Sequence, residues 1–209
     1  MQDEIATLEI NGSVFSNWQS LTINRSLDEI VDSFSFSSPF DSTRDDLKKA
    51  FRPFEYQKSL ISIDGEQILS GLIEQISAEC GNNVSINVQG RSPAGSMIDC
   101  NFEPPYQFDG QTWTAIAEKI AKPFGVVIDK TVNTGKIKVA KALSGDTATG
   151  FLLGLAKGEG YVMNSSPTGA LRLLKLKRTE SVASIIESNF GSLAFPFVKL
   201  VAVFTKSAE

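Results

Sequence analysis

The chain has 209 residues, 42% hydrophobic and 21% charged, which suits one large soluble domain or two modest ones. A formal net charge of −4 provides no basic field to recruit nucleic acid or an acidic membrane, and the longest apolar runs, such as Phe195–Phe204 broken by Lys199, are too short to span a bilayer. With no histidine and only two cysteines, Cys80 and Cys100, the chain lacks the commonest general base, any Ser-His or Cys-His pair, a disulfide framework and a zinc ligand set, so no catalytic, metal or cofactor-binding residues are expected.

The opening MQDEIATLEING is acidic and polar, unlike a secretory signal, and both thiols are expected to behave as small hydrophobes in a reducing cytosol. Ile5, Leu8 and Ile10 open a strand that turns at Asn11-Gly12, a strong hairpin dipeptide. Val14-Phe15 begins the return, and Trp18–Asn24 forms a strand with Leu21 and Ile23 on one face. Arg25–Asp32 is short and mixed. Ser33–Ser38 alternates phenylalanine with serine, placing Phe34 and Phe36 on one face and Ser33 and Ser35 on the other.

Residues 39–52 are broken by proline and charge, with one or two helical turns in TRDDLKKAF, where Leu47 and Phe51 stand four apart. A three-stranded meander follows over residues 54–92. Ser59–Asp64 runs into the Asp64-Gly65 turn, and Ile68–Ser77 carries Gly71 at a bulge or a close backbone approach. Gly81-Asn82-Asn83 turns the chain into the alternation of Val84, Ile86 and Val88. Six strand candidates with regular turns predict a small barrel or sandwich over residues 1–100.

Beyond this the period changes. Ser96–Phe108 reads as an extended connection through Pro104-Pro105, and Thr112–Lys122 as a helix on Trp113, Ile116, Ala117 and Ile120, entered from Asp109 or Gln111 and ended by Pro123. Phe124–Asp129 is a short strand, Thr147–Lys157 a second helix weakened by Gly150 and Gly154, and Ala170–Leu176 a strand after the Ser165–Gly169 turn. Residues 101–178 are therefore expected to form an α/β domain, and the whole an α+β, mainly β, fold. Phe197–Thr205 is a last strand without a partner nearby in sequence. It either returns to the first sheet or opens a second β-domain within residues 179–209.

Several short patterns occur in a fixed order. Ile10-Asn11-Gly12 leads to Trp18, and Arg25-Ser26 leads to Phe34-Ser35. Pro53-Phe54 and Tyr56 precede Ile63-Asp64-Gly65, Leu69, Gly71 and Ile73. Gly90-Arg91-Ser92, Ile98-Asp99-Cys100, Pro123-Phe124-Gly125 with Ile128, and Leu152, Leu155, Gly160, Thr168-Gly169, Leu171 and Leu173 complete the order. In this the chain resembles the baseplate hub proteins of contractile-tailed phages, the Mu-type hub with a relation to the T4-type hub.

The resemblance implies a tail-tube-like β-barrel domain and a virion structural protein of the tail baseplate, assembled in the host cytoplasm. It implies a hub ring, a homotrimer carrying two tube-like domains per chain in pseudo-sixfold order. The implied partners are the tail tube protein, the central spike protein and baseplate wedge proteins, with DNA only passing through the lumen, no membrane and no cofactor. The pattern departs at Glu209, where the second tube-like domain stops short; a short hub, a split hub completed by a second polypeptide, or a fragment would each fit.

Ser33, Phe34, Ser35 and Phe36 are the candidate interface or lumen strand, and Phe197, Leu200 and Val203 the candidate edge strand. Each other candidate has a plainer reading. Gly154, Gly158 and Gly160 end a helix and do not open one, so they read as termination and not as a phosphate loop. Asp28-Glu29 and Asp45-Asp46 read as solvated turn charges, and the basic run Arg172–Arg178 as a half-exposed strand. The alternatives are a tail-associated cell-wall hydrolase, set back by the missing histidine, and a carbohydrate-binding β-module, for which three tyrosines and two tryptophans make a thin aromatic platform.

Overall fold

The computed structural model describes residues 6–16, 18–27, 29–39, 55–80, 84–175 and 200–205. The turns expected at 43–51 and 81–83, Asp28, Asp45-Asp46 and Phe197 lie outside them. The chain divides into two compact units: residues 1–25, 32–92 and 201–209 in the first, and 26–31 with 93–200 in the second.

The first unit is built on one antiparallel sheet. Its strands are β1 (Ala6–Ile10), β2 (Ser13–Phe15), β3 (Ser20–Arg25), β4 (Ser33–Pro39), β5 (Lys58–Ile63), β6 (Glu66–Cys80), β7 (Val84–Arg91) and β12 (Leu200–Thr205). They pair in the order β12-β3-β4-β7-β6-β5-β1-β2, curled into a half-barrel with β12 and β2 as its margins. The last strand thus lies beside β3, far from it in sequence. Period-two alternation drives the curl's interior: Leu8, Ile10, Leu21, Ile23, Phe36, Ile61, Leu69 and Val88 all point to one face and are buried. Each contributes roughly 1.5–3 kcal/mol on burial. Trp18 closes one end, its Nε1–H donating to the Ala6 carbonyl at 2.8 Å.

Both hairpin dipeptides adopt the left-handed backbone that their turns require, Asn11 at φ 49° and Gly12 at 81°, Asp64 at 51° and Gly65 at 80°. Gly71 marks a close approach and not a bulge. The register shifts fall elsewhere, between Ile61 and Ser62 and between Ile73 and Gln75. At Gly71 and Gly90 the ring of Phe34 comes so near that a Cβ would stand 2.9 Å and 2.6 Å from its Cε1.

The second unit holds α1 (Gly95–Asp99), α2 (Trp113–Ala121) and α3 (Ala148–Gly158), a 3-10 turn at Lys122–Phe124, and two small strand pairs. These are β8 (Gln111–Thr112) with β9 (Lys136–Ile137), and β10 (Tyr161–Ser165) with β11 (Leu171–Lys175). Three details depart from the sequence expectation. A helical turn occupies 95–99, before the two prolines take effect. The cap of α2 is Thr112, whose Oγ1 accepts from the Ala115 N–H, and neither Asp109 nor Gln111 fills that place. The strand expected over 124–129 shrinks to a bridge at Ile128 against Leu171, because Phe124 finishes the 3-10 turn.

The core of this unit gathers Trp113, Ile116, Ala117, Leu152, Met163 and Leu171, all at 0% exposure, so apolar faces of both longer helices and of the β10-β11 pair meet in one place. Trp113 Nε1–H donates to the Leu152 carbonyl at 3.0 Å, tying α2 to α3. Residues 26–31, between β3 and β4, are part of this unit: Ile30 and Val31 pack on its core, and the Ser165 hydroxyl donates to the Ile30 carbonyl at 2.7 Å.

Candidate assembly surface

Strand β4 separates its two sequence candidates by face. Phe34 and Phe36 are 3% and 0% exposed, so their side chains belong to the core and have no free surface to offer. Ser33 and Ser35 are half-buried on the opposite face, where the Ser35 hydroxyl donates to Asn87 Oδ1 at 3.1 Å and Asn24 Nδ2 donates to Ser33 Oγ at 3.4 Å. Leu200 and Val203 lie in β12, at one margin of the sheet. At the other margin β2 is three residues long and exposes 63% of Val14. Both strands stand at the ends of the strand order, where a sheet can take on a further strand.

Where the chain leaves the sheet at β3, re-enters at β4 and leaves again after β7, three residues of the first unit lock together. Arg25 Nε lies 3.0 Å from Asp32 Oδ2, and its Nη1 donates to the Ile68 carbonyl at 2.9 Å. The Asp32 side chain is only 3% exposed. Asp32 N–H donates to Ser92 Oγ at 3.1 Å, and Ser92 N–H donates back to the Asp32 carbonyl at 2.8 Å. A charge-assisted bond and a reciprocal pair thus hold the ends of β3, β4 and β7 in register. Sequence reasoning missed this cluster, because nothing in the spacing of 25, 32 and 92 announces that three strand ends converge.

The remaining candidates resolve into structural roles. Gly158 is the last residue of α3 and Gly160 follows it at φ 77°, so these two end the helix, whereas Gly154, expected to do the same, lies in its interior. In β11, Leu171 and Leu173 are buried while Arg172 Nε donates to Asn164 Oδ1 at 3.0 Å; Lys175 sits 5.9 Å from the Tyr161 ring centroid. Asp109 accepts from the Gln107 side chain and from the Ala140 N–H, which hold its carboxyl below the ordinary value, with Lys141 adding to the effect. Asp129 is lowered in the same sense by the Thr131 hydroxyl and N–H. Each of these carboxylates pins a loop. Among the described residues no three metal-ligating side chains cluster, and no helix is long and apolar enough to cross a membrane.

Two family models match end to end along this architecture. Residues 5–92 match the N-terminal domain of the Mu phage baseplate assembly protein GpP-like family, and residues 94–175 match the second domain of the baseplate hub protein gp44-like family. Their junction falls where the chain passes from the first unit, at Ser92, into the second, at Pro93. The chain belongs to the Mu-type baseplate hub family.

Among its relatives, the baseplate hub protein gp44 of Escherichia phage Mu is 22% identical over 195 residues, covering 90% of this chain and 50% of that protein. The solved 43 kDa tail protein of prophage MuSo2 from Shewanella oneidensis is 27% identical with a TM-score of 0.72, covering 88% of this chain and 59% of the other. The tail protein from Neisseria meningitidis MC58 has the same fold at 21% identity, with a TM-score of 0.73 over 90% of this chain and 56% of its own. The chain therefore spans half to three-fifths of the length of these relatives.

Proposed function

We propose that this chain is a structural component of a phage tail baseplate, part of a hub ring that joins the tail tube to the central spike, and that it is not an enzyme. The observation that carries the reading is the tiling of two hub-domain models, in hub order, with their boundary at the same point of the chain, after Ser92, as the boundary between the two compact units. The work is mechanical: strand pairing and packing between subunits close a ring by rotation, and three-fold closure suits a spike.

The partners in this reading are sister copies, the tail tube protein, the spike protein and wedge proteins of the baseplate, brought together in the host cytoplasm. The margins of the sheet supply the contacts. An edge strand is a template for another chain, so β12, with Leu200 and Val203, and the short β2 are where a sister subunit or a second hub polypeptide would pair.

Light scattering of the purified protein, alone and with co-expressed tube and spike proteins, tests the assembly. A three-fold mass, or capture by either tail protein, supports the ring. Deleting residues 197–209 should cost assembly more than folding. If that deletion unfolds the protein while the intact chain stays monomeric with its tail partners, the strand serves a self-contained core and the ring reading fails. On peptidoglycan zymograms no clearing is expected, with or without divalent metal. A cleared band that survives repurification and is lost on substituting one acidic residue would favour a hydrolase.

A further inference from the structure

The chain segregates its charge. Residues 1–92 carry 14 acidic and 7 basic side chains, whereas residues 93–209 carry 10 acidic and 13 basic ones. Each part presents one feature that the isolated chain leaves unused. On the acidic part, Tyr56 precedes β5 at φ 45° and is 62% exposed. A bulky side chain in the left-handed region is strained, and such strain gathers at contacts and functional sites. No other aromatic side chain is exposed among the described residues, and the Tyr56 hydroxyl makes no hydrogen bond among them. Two acceptors flank it in the chain. Glu55 is exposed, and Gln57, 6% exposed, donates to it from Nε2 at 2.8 Å while its own Oε1 has no hydrogen-bond partner.

On the basic part, Val126, Val127 and Ile128 line an open groove of about 560 Å³ beside the end of α2, together with Lys119, Lys122 and Lys130. Val127 is 68% exposed there. Glu118 engages Lys130, and Gln111 Oε1 accepts from Lys119 at 2.6 Å, but the Lys122 ammonium has no partner among the described residues. Apolar lining suits a tyrosine ring, and buried tyrosines are common anchors of interfaces. An ammonium with three donors and no acceptor suits a carboxylate. Resting on the hub reading above, we infer that this groove receives Tyr56 of a neighbouring copy of the chain, with Lys122 paired to the neighbour's Glu55. The contact is heterologous: each copy gives an acidic knob and offers a basic groove, so a series of copies closes by rotation.

The test co-assembles two versions of the chain with the tail tube and spike proteins. Both have a Cys80→Ser, Cys100→Ser background; one carries Glu55→Cys and the other Lys122→Cys, which leaves Tyr56 and Val127 in place. A short bifunctional thiol reagent should join one version to the other, and neither version to itself. Versions that link only to themselves, a link within a single chain carrying both cysteines, or no link in hubs that do assemble would each overturn the inference and leave the hub reading standing. So would shielding of the Lys122→Cys thiol by tube or spike protein in hubs where the two versions do not link. A chain that stays monomeric with both tail proteins and never enters tails would overturn both. As a second measurement, Lys122→Glu and Glu55→Lys should each weaken self-association about tenfold, and one chain carrying both should recover most of it. Both side chains are exposed, so the fold is not at stake. Unchanged association in the single variants, or no recovery in the double one, would also overturn the inference.

Discussion

Gly90→Ala adds one methyl group where the first sheet has no room for it. On β7, Gly90 pairs with Phe34 on one side and Ile73 on the other. A Cβ there would stand 2.3 Å from the Leu72 carbonyl oxygen and 2.5 Å from Phe34 Cζ. Gly71→Ala is milder, with 2.9 Å to both the Arg91 carbonyl oxygen and Phe34 Cε1. Overpacking a core costs about 1–3 kcal/mol. A side chain can rotate away from a new methyl group, whereas a strand carbonyl moves only if β6 and β7 part. Gly90→Ala is therefore expected near the top of that range, about 3 kcal/mol, and Gly71→Ala near the middle, about 1.5–2 kcal/mol. Phe34→Leu removes the ring from both contacts, so combined with Gly71→Ala it should cost clearly less than the two changes summed. With Gly90→Ala the relief should be partial, because the carbonyl clash remains. Two units make a single unfolding curve ambiguous, so the assay is native-state hydrogen exchange of the β4 and β7 amides, read strand by strand. A Gly90→Ala protein within about 0.5 kcal/mol of the parent at those amides would refute the reasoning.

Asp32→Ala removes the carboxylate from Arg25 but leaves Arg25 its Ile68 carbonyl, so the loss should fall at the low end of the roughly 3–5 kcal/mol for breaking a buried pair, seen as faster exchange where β3 and β4 end. Thr147→Ala deletes the side-chain cap that accepts from the Gly150 N–H at 3.1 Å, and should cost the second unit about 1 kcal/mol in urea unfolding. Asp109 and Asp129 titrate below their ordinary value of 3.8 in the folded protein. Their stabilisation is therefore fully present above that value and is lost as pH falls through the folded pKa, so the second unit should weaken below about pH 4. Asp109→Asn should flatten part of that acid-side dependence, and carboxyl NMR titration gives the check.

The legible part of the fold was the part governed by local period. Alternation in β1, β3, β4 and β7 identified Leu8, Leu21, Phe34, Phe36 and Val88 as one buried face, because side chains in a strand take opposite sides by turns and water selects between them. Asn11-Gly12 and Asp64-Gly65 identified their hairpins, since few other pairs accept positive φ at both central positions. The three- and four-residue spacing of Trp113, Ile116, Ala117 and Ile120 identified α2 in the same way. The absence of histidine told against Ser-His and Cys-His pairs from composition alone, and the order of glycines and helix told against a phosphate loop.

The sequence did not state which strands meet or where the chain crosses between units. That β12 lies beside β3, and that Ser26–Val31 completes the second core, depend on pairings between residues far apart in the chain, and no local period encodes them. The same holds for the site. Ser35 read as the outer face of one strand, but only register set it beside Thr22, Gln89 and Gln75 and made a surface of it. Gly71 and Gly90 drew their meaning from the Phe34 ring, which reaches them from another strand. Local chemistry chose the elements of this protein; long-range pairing, paid for in chain entropy and decided by packing, chose their neighbours.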